Sequence, residues 1–292
     1  INYIEKLLDM EDLFDFVGMF QRHSAPVKGK TIELMAGGNK TLTDPTMMMN
    51  NFVDFAIDLF TFNGRGVEAL EEYIEKILSV EKDNPAFWEV LCRWAEEMRK
   101  HGGVFDYFGY IYEEDVISRF KASTLGQFFT PYSVSTLMAR LTMFDRFYDS
   151  QDRVAIYDCC CGSSRLLLAA YDELVNTQQI KDKPIILVGG DIDLLSVKMS
   201  SLNAMMSGAF ALYVCQDALT LNPPSVACVV NSTNFPRTSG IYSLQWMTED
   251  INQYADYIDE EGQKHTNGSK WTDMQVYKYY HFDELLNSVP EE

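Results

Sequence analysis

The sequence predicts an α/β fold in which a doubly wound parallel sheet follows an all-helical N-terminal domain. From residue 131 onward, short apolar runs alternate with helical stretches, which is typical of buried parallel strands and their crossover helices. Before residue 122, apolar residues recur at three- and four-residue steps, which is typical of amphipathic helices. We therefore expect a helical domain over residues 1–122 and a sheet domain over residues 123–292, whose last strands give only weak signals.

The N-terminal domain is predicted to be helical throughout, with helical periodicity over residues 4–20, 51–62, 67–80, 86–100 and 111–120. Asp83-Asn84-Pro85 is a helix start signal, and His101-Gly102-Gly103 is a stop signal. Gly37-Gly38-Asn39-Lys40 invites comparison with a phosphate-binding loop. It lacks the GxxxxGK spacing and no strand precedes it, so we expect a turn.

The sheet domain is predicted from a regular alternation of elements. In chain order these are a helix over 134–144, a strand over 154–157, a helix over 166–175, a strand over 185–188, a helix over 195–206, and strands over 211–214 and 226–230. The alternation predicts a parallel sheet with right-handed crossovers. Residues 242–247 and 274–282 give weaker strand signals.

Charge and cysteine content limit the function classes. The 292 residues carry a net charge of −19, which argues against a protein that grips DNA phosphates by itself but not against a subunit whose partner does so. No apolar run approaches the roughly 18 residues of a membrane span. The six cysteines form no CxxC pair and three are consecutive, so we expect small buried residues of a cytoplasmic protein and no metal site.

Three acids follow three of the predicted strands. Asp158 ends the first, Asp191 ends the second, and Asp217 comes shortly after the third. Ligands of a doubly wound sheet bind outside the carboxyl ends of its strands, where one carboxylate can accept ribose hydroxyls and the next an adenine amine. An acid after a strand is also a common helix N-cap, so each acid alone is a weak signal. Together, and with the small-residue turn at Gly162, they predict a nucleoside cofactor site.

Motifs around these acids resemble one methyltransferase family. Asp158-Cys159-Cys160-Cys161-Gly162-Ser163-Ser164 resembles its sequence of acid, Pro, any, Cys, Gly, Ser, Gly, with Cys159 in place of the Pro and Ser164 in place of the last Gly. Gly126 to Pro131 and the segment Asp106 to Glu113 match two further motifs, and the run from Asp193 through Asn203 to Gly208 resembles another. The chain is thus similar to the N6-adenine DNA methyltransferases that form the modification (M) subunits of type I restriction–modification systems.

The resemblance implies a Rossmann-like sheet that binds S-adenosyl-L-methionine. The residues it implies in cofactor binding are Phe128, Phe129, Thr130, Pro131, Asp158, Cys160, Gly162, Asp191, Ile192, Asp217 and Ala218. It also implies DNA as a partner, reached through a separate specificity subunit.

The catalytic motif of the family is altered in this chain. Enzymes that methylate base amines carry Asn/Asp-Pro-Pro-Tyr/Phe after the fourth strand, where the Asn oxygen accepts an amine hydrogen and the aromatic ring stacks on the flipped base. Here the strand is followed by Asn231-Ser232-Thr233-Asn234-Phe235-Pro236, so Asn231 and Phe235 are the candidate catalytic residues. Asn222-Pro223-Pro224-Ser225 precedes the strand and is predicted to be a turn.

Three functions therefore remain open from the sequence. The first is an N6-adenine DNA methyltransferase or M-like subunit, which the cofactor motifs and Asn231 favour. The second is a catalytically degenerate homologue that binds cofactor or partners, which the altered motif favours. The third is a methyltransferase with a non-DNA substrate.

Overall fold

The computed structural model describes residues 16–62, 66–117, 130–143, 154–177, 184–220, 224–231, 242–247, 257–258 and 264–265. Several predictions from the sequence lie outside these residues. They are the first part of the helix over 4–20, the ends of the helices over 111–120 and 134–144, the first half of the turn over 222–225, the strand over 274–282, and the site residues Phe128, Phe129 and Phe235.

The described residues of the N-terminal part form five α-helices: α1 (Thr31–Leu34), α2 (Pro45–Phe60), α3 (Gly66–Asp83), α4 (Pro85–Lys100) and α5 (Tyr107–Ile111). A 3₁₀ turn (Val17–Phe20) precedes them, and a π-helical stretch (Tyr112–Ile117) extends α5. Both long helices with a proline at their first position have a side-chain cap, since Asp44 accepts from the Met47 N–H and Asn84 from the Phe87 N–H. The helical prediction is confirmed for these residues, and Gly37 and Gly38 form the expected turn with φ of 61° and 84°.

The remaining elements build the sheet and its flanking helices. The strands are β1 (Val154–Asp158), β2 (Ile185–Asp191), β3 (Phe210–Cys215), β4 (Val226–Val230) and β5 (Leu244–Met247), with a separate hairpin of β6 (Tyr257–Ile258) and β7 (Lys264–His265). The helices are α6 (Tyr132–Thr142), α7 (Arg165–Asp172) and α8 (Leu194–Met206), and a π-helical stretch (Glu173–Thr177) extends α7.

The sheet has the order β1-β2-β3-β4-β5 and changes direction at β4. The first three strands are parallel and joined by helices, as predicted. β4 is antiparallel to β3, and β5 is antiparallel to β4, so the expectation of an all-parallel sheet is wrong for β4. The physical reason is the short connection over residues 216–225, because a parallel crossover needs a dozen or more residues and usually a helix. The chain therefore reverses between Cys215 and Val226, which pair in register.

The helical part packs on the sheet through one shared core. That core runs without a break from Phe16, Phe60 and Trp94 to Leu187 and Tyr213. The end of α2 also joins the sheet edge, where the Phe62 N–H donates to the Leu244 carbonyl at 2.9 Å. The helices therefore pack directly on the sheet, while the predicted domain boundary at residue 122 falls outside the described residues. None of the helices in the described part of the chain is long and apolar enough to cross a membrane.

Candidate cofactor site

The turn after β1 is held against the carboxyl end of β2 by two hydrogen bonds that its backbone N–H groups donate, one to a main-chain carbonyl and one to a carboxylate. The Cys161 N–H donates to the Gly190 carbonyl at 2.9 Å, and the Gly162 N–H donates to Asp191 Oδ2 at 2.9 Å. Gly162 has φ of 56°, a left-handed conformation that glycine adopts without strain. The turn therefore needs the glycine that the sequence places there, and it needs the carboxylate of the neighbouring strand.

Asp191 is the central acid of this edge. Its Oδ1 accepts the Asp193 N–H at 2.9 Å, while Oδ2 accepts the N–H of Gly162, and the carboxylate is half-buried. The Gln216 N–H donates to the Asp191 main-chain carbonyl at 2.9 Å, which ties the segment after β3 to the same residue. A carboxylate has about four lone-pair sites, so two remain to accept ribose hydroxyls.

The other two acids lie at the ends of the neighbouring strands. Asp158 is half-buried at the end of β1, and its Oδ1 accepts the Cys160 N–H at 3.0 Å. Asp217 follows β3, and its Oδ1 accepts the Leu219 N–H at 2.9 Å. This backbone bond lowers the pKa of the Asp217 carboxyl, so the group is held in its charged form.

Two large apolar side chains are exposed at the same edge. Ile192, directly after Asp191, is 71% exposed, and Leu219, two residues after Asp217, is 92% exposed. Ala218, which lies between Asp217 and Leu219 in the chain, is half-buried. Ile192 and Ala218 were expected from the resemblance, whereas Leu219 was missed, although its position beside Asp217 is visible in the sequence. Exposed apolar side chains beside hydrogen-bonding groups suit an aromatic base.

The chemistry of this edge fits S-adenosylmethionine. The carboxylates of three adjacent strands supply acceptors for hydroxyl and amine hydrogens, and they offer negative charge to a cofactor that carries a sulfonium cation. The tight turn at Gly162 leaves the backbone without a side chain at the point of approach. The residues present at this edge are therefore chemically compatible with an adenosine-containing cation.

A buried ion pair lies next to the turn, and the sequence reasoning missed it. Asp106 is 1% exposed and receives four hydrogen bonds. Its Oδ1 accepts from the Gly109 N–H and Asn203 Nδ2, and its Oδ2 accepts from Ser163 Oγ and Arg165 Nε, at 2.7–2.9 Å. Burial raises the pKa of the Asp106 carboxyl, and the Arg165 charge acts in the opposite direction. Three separate motifs of the resemblance thus meet at one carboxylate.

Arg165 extends this network to the start of α6. Its Nη1 donates to the Thr130 carbonyl at 3.0 Å, and its Nη2 lies 2.8 Å from Glu113 Oε2. Pro131 follows as the N-cap residue of α6 and is exposed. Of the predicted loop Gly126–Pro131, the structure therefore describes only Thr130 and Pro131, and it joins Thr130 to the residue that follows Ser164.

The consecutive cysteines differ in their surroundings. Cys159 and Cys160 are exposed, so the expectation that all cysteines are buried is wrong for this pair, which sits in the turn outside the sheet. Cys161 is buried, and burial raises the pKa of its thiol well above the ordinary value. All six cysteines are free, and the part of the chain that the structure describes holds no cluster of three potential metal ligands.

Asn231 does not lie with the three acids. It follows β4, whose Val230 pairs with Ala211 at the start of β3, whereas Asp191 pairs with Cys215 at the end of β3. Four residues of strand separate these two levels, about 13 Å along the sheet. The prediction that Asn231 faces the cofactor assumed a parallel β4, and the reversal of β4 places it at the opposite edge.

The side chain of Asn231 is fully engaged there. It is 0% exposed, and its Nδ2 donates to the carbonyls of Met205 at 2.9 Å and Ala209 at 3.1 Å. Its Oδ1 accepts the Ser243 N–H at 3.0 Å, and its φ of 52° is a conformation that Asn tolerates better than most residues. In this structure Asn231 joins the C-terminal end of α8 to the segment before β5, which is a structural role.

Comparisons with known proteins agree with the cofactor motifs. The family model described as N-6 DNA Methylase matches residues 104–275. The search of curated proteins gave no match. Among solved structures, the chain is similar to a Listeria monocytogenes protein described as a class I S-adenosylmethionine-dependent methyltransferase, with 14% identity and a TM-score of 0.42, covering 67% of this chain and 55% of that one.

A second solved structure is similar over a comparable part of the chain. It is the methyltransferase subunit of a type I restriction–modification system from Streptococcus thermophilus, with 20% identity and a TM-score of 0.27, covering 61% of this chain and 40% of that one. The chain thus spans about half the length of these two proteins. Because both TM-scores are below 0.5, the family match is the comparison that supports the assignment.

Proposed function

We propose a function for this chain from one premise: it belongs to the N-6 DNA methylase family, whose model matches residues 104–275. The resemblance found in the sequence is confirmed at this level, and S-adenosylmethionine is the cofactor of the family. We infer that the chain binds S-adenosylmethionine at the carboxyl end of β1, β2 and β3. The observation that carries this inference is the Asp191 carboxylate, which holds the Gly162 turn and still has acceptor capacity for a ligand.

Each acid has a separate task in this proposal. Asp191 accepts the ribose hydroxyls, and Asp217 accepts the amine of adenine between the exposed side chains of Ile192 and Leu219. Asp158 and the turn at Gly162 face the amino-acid end of the cofactor. When bound, S-adenosylmethionine supplies an electrophilic methyl group. The protein's part is to hold and orient it.

We assign the chain to adenine-N6 methylation of DNA within a restriction–modification system. Family membership supports this reaction, and a DNA adenine must leave the duplex to reach any such site. Because the chain carries a net charge of −19, which disfavours contact with DNA phosphates, a separate specificity subunit would make these contacts. The chain then contributes the cofactor site, and DNA is engaged by the assembly.

A second candidate is a cofactor-binding homologue that does not transfer methyl groups. The position of Asn231 favours it, because this side chain lies at the far edge of the sheet and has its amide hydrogens on the carbonyls of Met205 and Ala209. An amide in that position cannot accept hydrogens from an adenine amine at the cofactor edge. Methyl transfer by this chain would then need another group to accept the hydrogens of the adenine amine. Without such a group the chain binds the cofactor but transfers no methyl group.

Two measurements separate these candidates. Titration calorimetry of the purified chain with S-adenosylmethionine should give measurable binding, and a chain that shows no heat with the cofactor or with S-adenosylhomocysteine contradicts the proposal. Transfer of a labelled methyl group to adenine-containing duplex DNA, alone and with a specificity subunit added, then tests catalysis. Binding with no transfer in either case supports the second candidate.

A further inference from the structure

We propose that Arg165 is a positioning residue for the amino-acid end of the cofactor, acting through the main chain at Thr130. The proposal rests on the function proposed above and adds a residue outside the three strand-end acids. It assigns Arg165 a role in distinguishing cofactors that carry the methionine portion from nucleosides that lack it.

The guanidinium of Arg165 uses each of its nitrogens on the protein itself. Nε donates to Asp106 Oδ2 at 2.7 Å, Nη1 to the Thr130 carbonyl at 3.0 Å, and Nη2 lies 2.8 Å from Glu113 Oε2. Its side chain is only 8% exposed. Because its charge is balanced by two carboxylates, Arg165 is placed to hold neighbouring chain segments rather than to bind an anion directly.

The segments it holds belong to the cofactor edge. Ser163, two residues before Arg165, donates to the same Asp106 carboxylate at 2.7 Å, so the turn at Gly162 is anchored to this ion pair. Thr130 immediately precedes Pro131, the N-cap residue of α6. Arg165 therefore fixes the distance between the β1 turn and the backbone that enters α6.

The sheet order indicates which half of the cofactor is affected. The acids suited to ribose and adenine follow β2 and β3, whereas Arg165 begins the helix after β1, the strand on the other side of β2. A cofactor whose nucleoside lies over the ends of β2 and β3 extends its amino-acid end towards β1 and Thr130. Loosening the Arg165 contacts should weaken binding of that end and spare the nucleoside.

The test compares two ligands that differ in this end. S-adenosylhomocysteine has both the nucleoside and the amino-acid end, and 5′-methylthioadenosine has the nucleoside and sulfur but lacks the amino-acid end. For Arg165→Met we expect the dissociation constant of S-adenosylhomocysteine to rise at least about tenfold, as for loss of charge-assisted hydrogen bonds, while that of 5′-methylthioadenosine stays within about twofold. Glu113→Gln, which keeps the Arg165–Asp106 pair, should give a smaller rise for S-adenosylhomocysteine only.

The matched control is Arg140→Met. Arg140 lies on α6, 3.5 Å from Glu173, and it is 65% exposed, so its loss removes an Arg–Glu pair without touching the turn. We expect both dissociation constants to be unchanged in this variant. Arg165→Lys decides the question if Arg165→Met does not fold, because lysine keeps the charge but its single ammonium nitrogen cannot span the three positions that the guanidinium nitrogens reach.

The outcomes separate the two proposals. A parallel loss of both ligands in a folded Arg165 or Glu113 variant would mean a general structural role and overturns the positioning proposal alone. Unchanged affinity for S-adenosylhomocysteine in those variants overturns it as well. If the unaltered chain binds neither ligand, the proposed cofactor site itself is wrong.

Discussion

The two ends of the sheet each carry a polar residue that follows an apolar strand, yet the two residues have different surroundings. Asp191 ends β2 and is half-buried, and its carboxylate accepts hydrogen bonds from the N–H groups of Gly162 and Asp193. Asn231 follows β4, is fully buried, and gives its amide to Met205, Ala209 and Ser243. Asp191 keeps acceptor capacity at an accessible edge, while the donors of Asn231 are both used inside the core.

Strand direction accounts for this difference. β2 runs parallel to β1 and β3, so its last residue lies where ligands of such sheets bind. β4 runs the other way, so its last residue lies beside the first residues of β3 and the C-terminal end of α8. A polar residue after a strand thus belongs to a ligand site only when the strand points to the ligand edge.

The largest expected effect is a loss of stability on replacing Asn231. Asn231→Ala removes the hydrogen bonds to Met205, Ala209 and Ser243 inside the core, and it leaves alanine at φ of 52°. We expect the free energy of unfolding to fall by about 3 kcal/mol. Chemical denaturation measures it, and cofactor affinity of the folded protein should not change.

The control for this variant is Asn176→Ala, which removes an exposed asparagine bonded to Asp172. Its effect on stability should stay within about 0.5 kcal/mol. An Asn231→Ala protein that is as stable as the parent but binds cofactor poorly would place Asn231 at the ligand edge and contradict its structural role.

The next largest effect is expected at Asp191. Asp191→Asn replaces one carboxylate oxygen by an NH₂ group. The single remaining oxygen cannot accept from the N–H groups of Gly162 and Asp193 and also from the ribose hydroxyls. The affinity for S-adenosylmethionine should fall at least about tenfold in calorimetry. Asp54→Asn is the control, since Asp54 is exposed on α2 and pairs with Lys198; equal losses in both variants would argue against a site at Asp191.

A smaller effect is expected at Asp217, in base preference rather than in overall affinity. In Asp217→Asn the amide oxygen still accepts the Leu219 N–H, and the new NH₂ group faces a base as a donor. Preference for S-adenosylhomocysteine over its inosine analogue should therefore decrease several-fold, because hypoxanthine offers an acceptor in place of the amine.

The pH dependence of this preference follows from the same contact. The hydrogen bond from the Leu219 N–H lowers the pKa of Asp217, so the carboxylate stays charged to a lower pH than an ordinary aspartate does. Its contribution to binding is lost only as the pH falls through this lowered pKa. Base preference of the unaltered protein should then be constant from about pH 5 to about pH 8. A base preference that changes with pH within that window would contradict the proposal that Asp217 accepts the adenine amine.

The smallest effect is expected from the cysteines. Exposed Cys159 and Cys160 should be alkylated by iodoacetamide, Cys160 more slowly at neutral pH because desolvation and the neighbouring Cys159 raise the pKa of its thiol. Cys161 and Cys228 should not be alkylated, since both are buried and burial raises the pKa of Cys228 to about 12. Peptide mass spectrometry identifies the sites. Cofactor should slow labelling at Cys160, and labelling of Cys161 as fast as Cys160 would mean that the turn after β1 is not packed as described.

The elements that the sequence predicts best are those with strong local signals. Val226–Val230 was expected with the bounds it has, and the start of α4 was readable because Asn84 and Pro85 form a start signal. The direction of β4 was not readable, because an apolar run of five residues carries no information about its partner strand. That direction depends on the short connection between β3 and β4, which the predicted strand bounds already implied but which the prediction of a parallel sheet did not take into account.

The residues of the candidate site also differ in whether a local sequence signal marks them. Asp158, Asp191 and Asp217 could be predicted as candidates because each follows a strand with a clear pattern. Arg165 was missed because its partners Asp106 and Glu113 lie more than 50 residues earlier in the chain, in the helical region. A buried ion pair between distant segments leaves no periodic signal, although the Asp106 to Glu113 motif did mark where one partner lies.

The most direct test of the central claim is a crystal structure of the chain with S-adenosylhomocysteine. We expect the ribose to lie on Asp191 and the adenine beside Asp217, while Asn231 keeps its hydrogen bonds to Met205 and Ala209 at the opposite edge. A ligand-bound structure in which the Asn231 amide has left those carbonyls and lies within hydrogen-bonding distance of the ligand edge would contradict it.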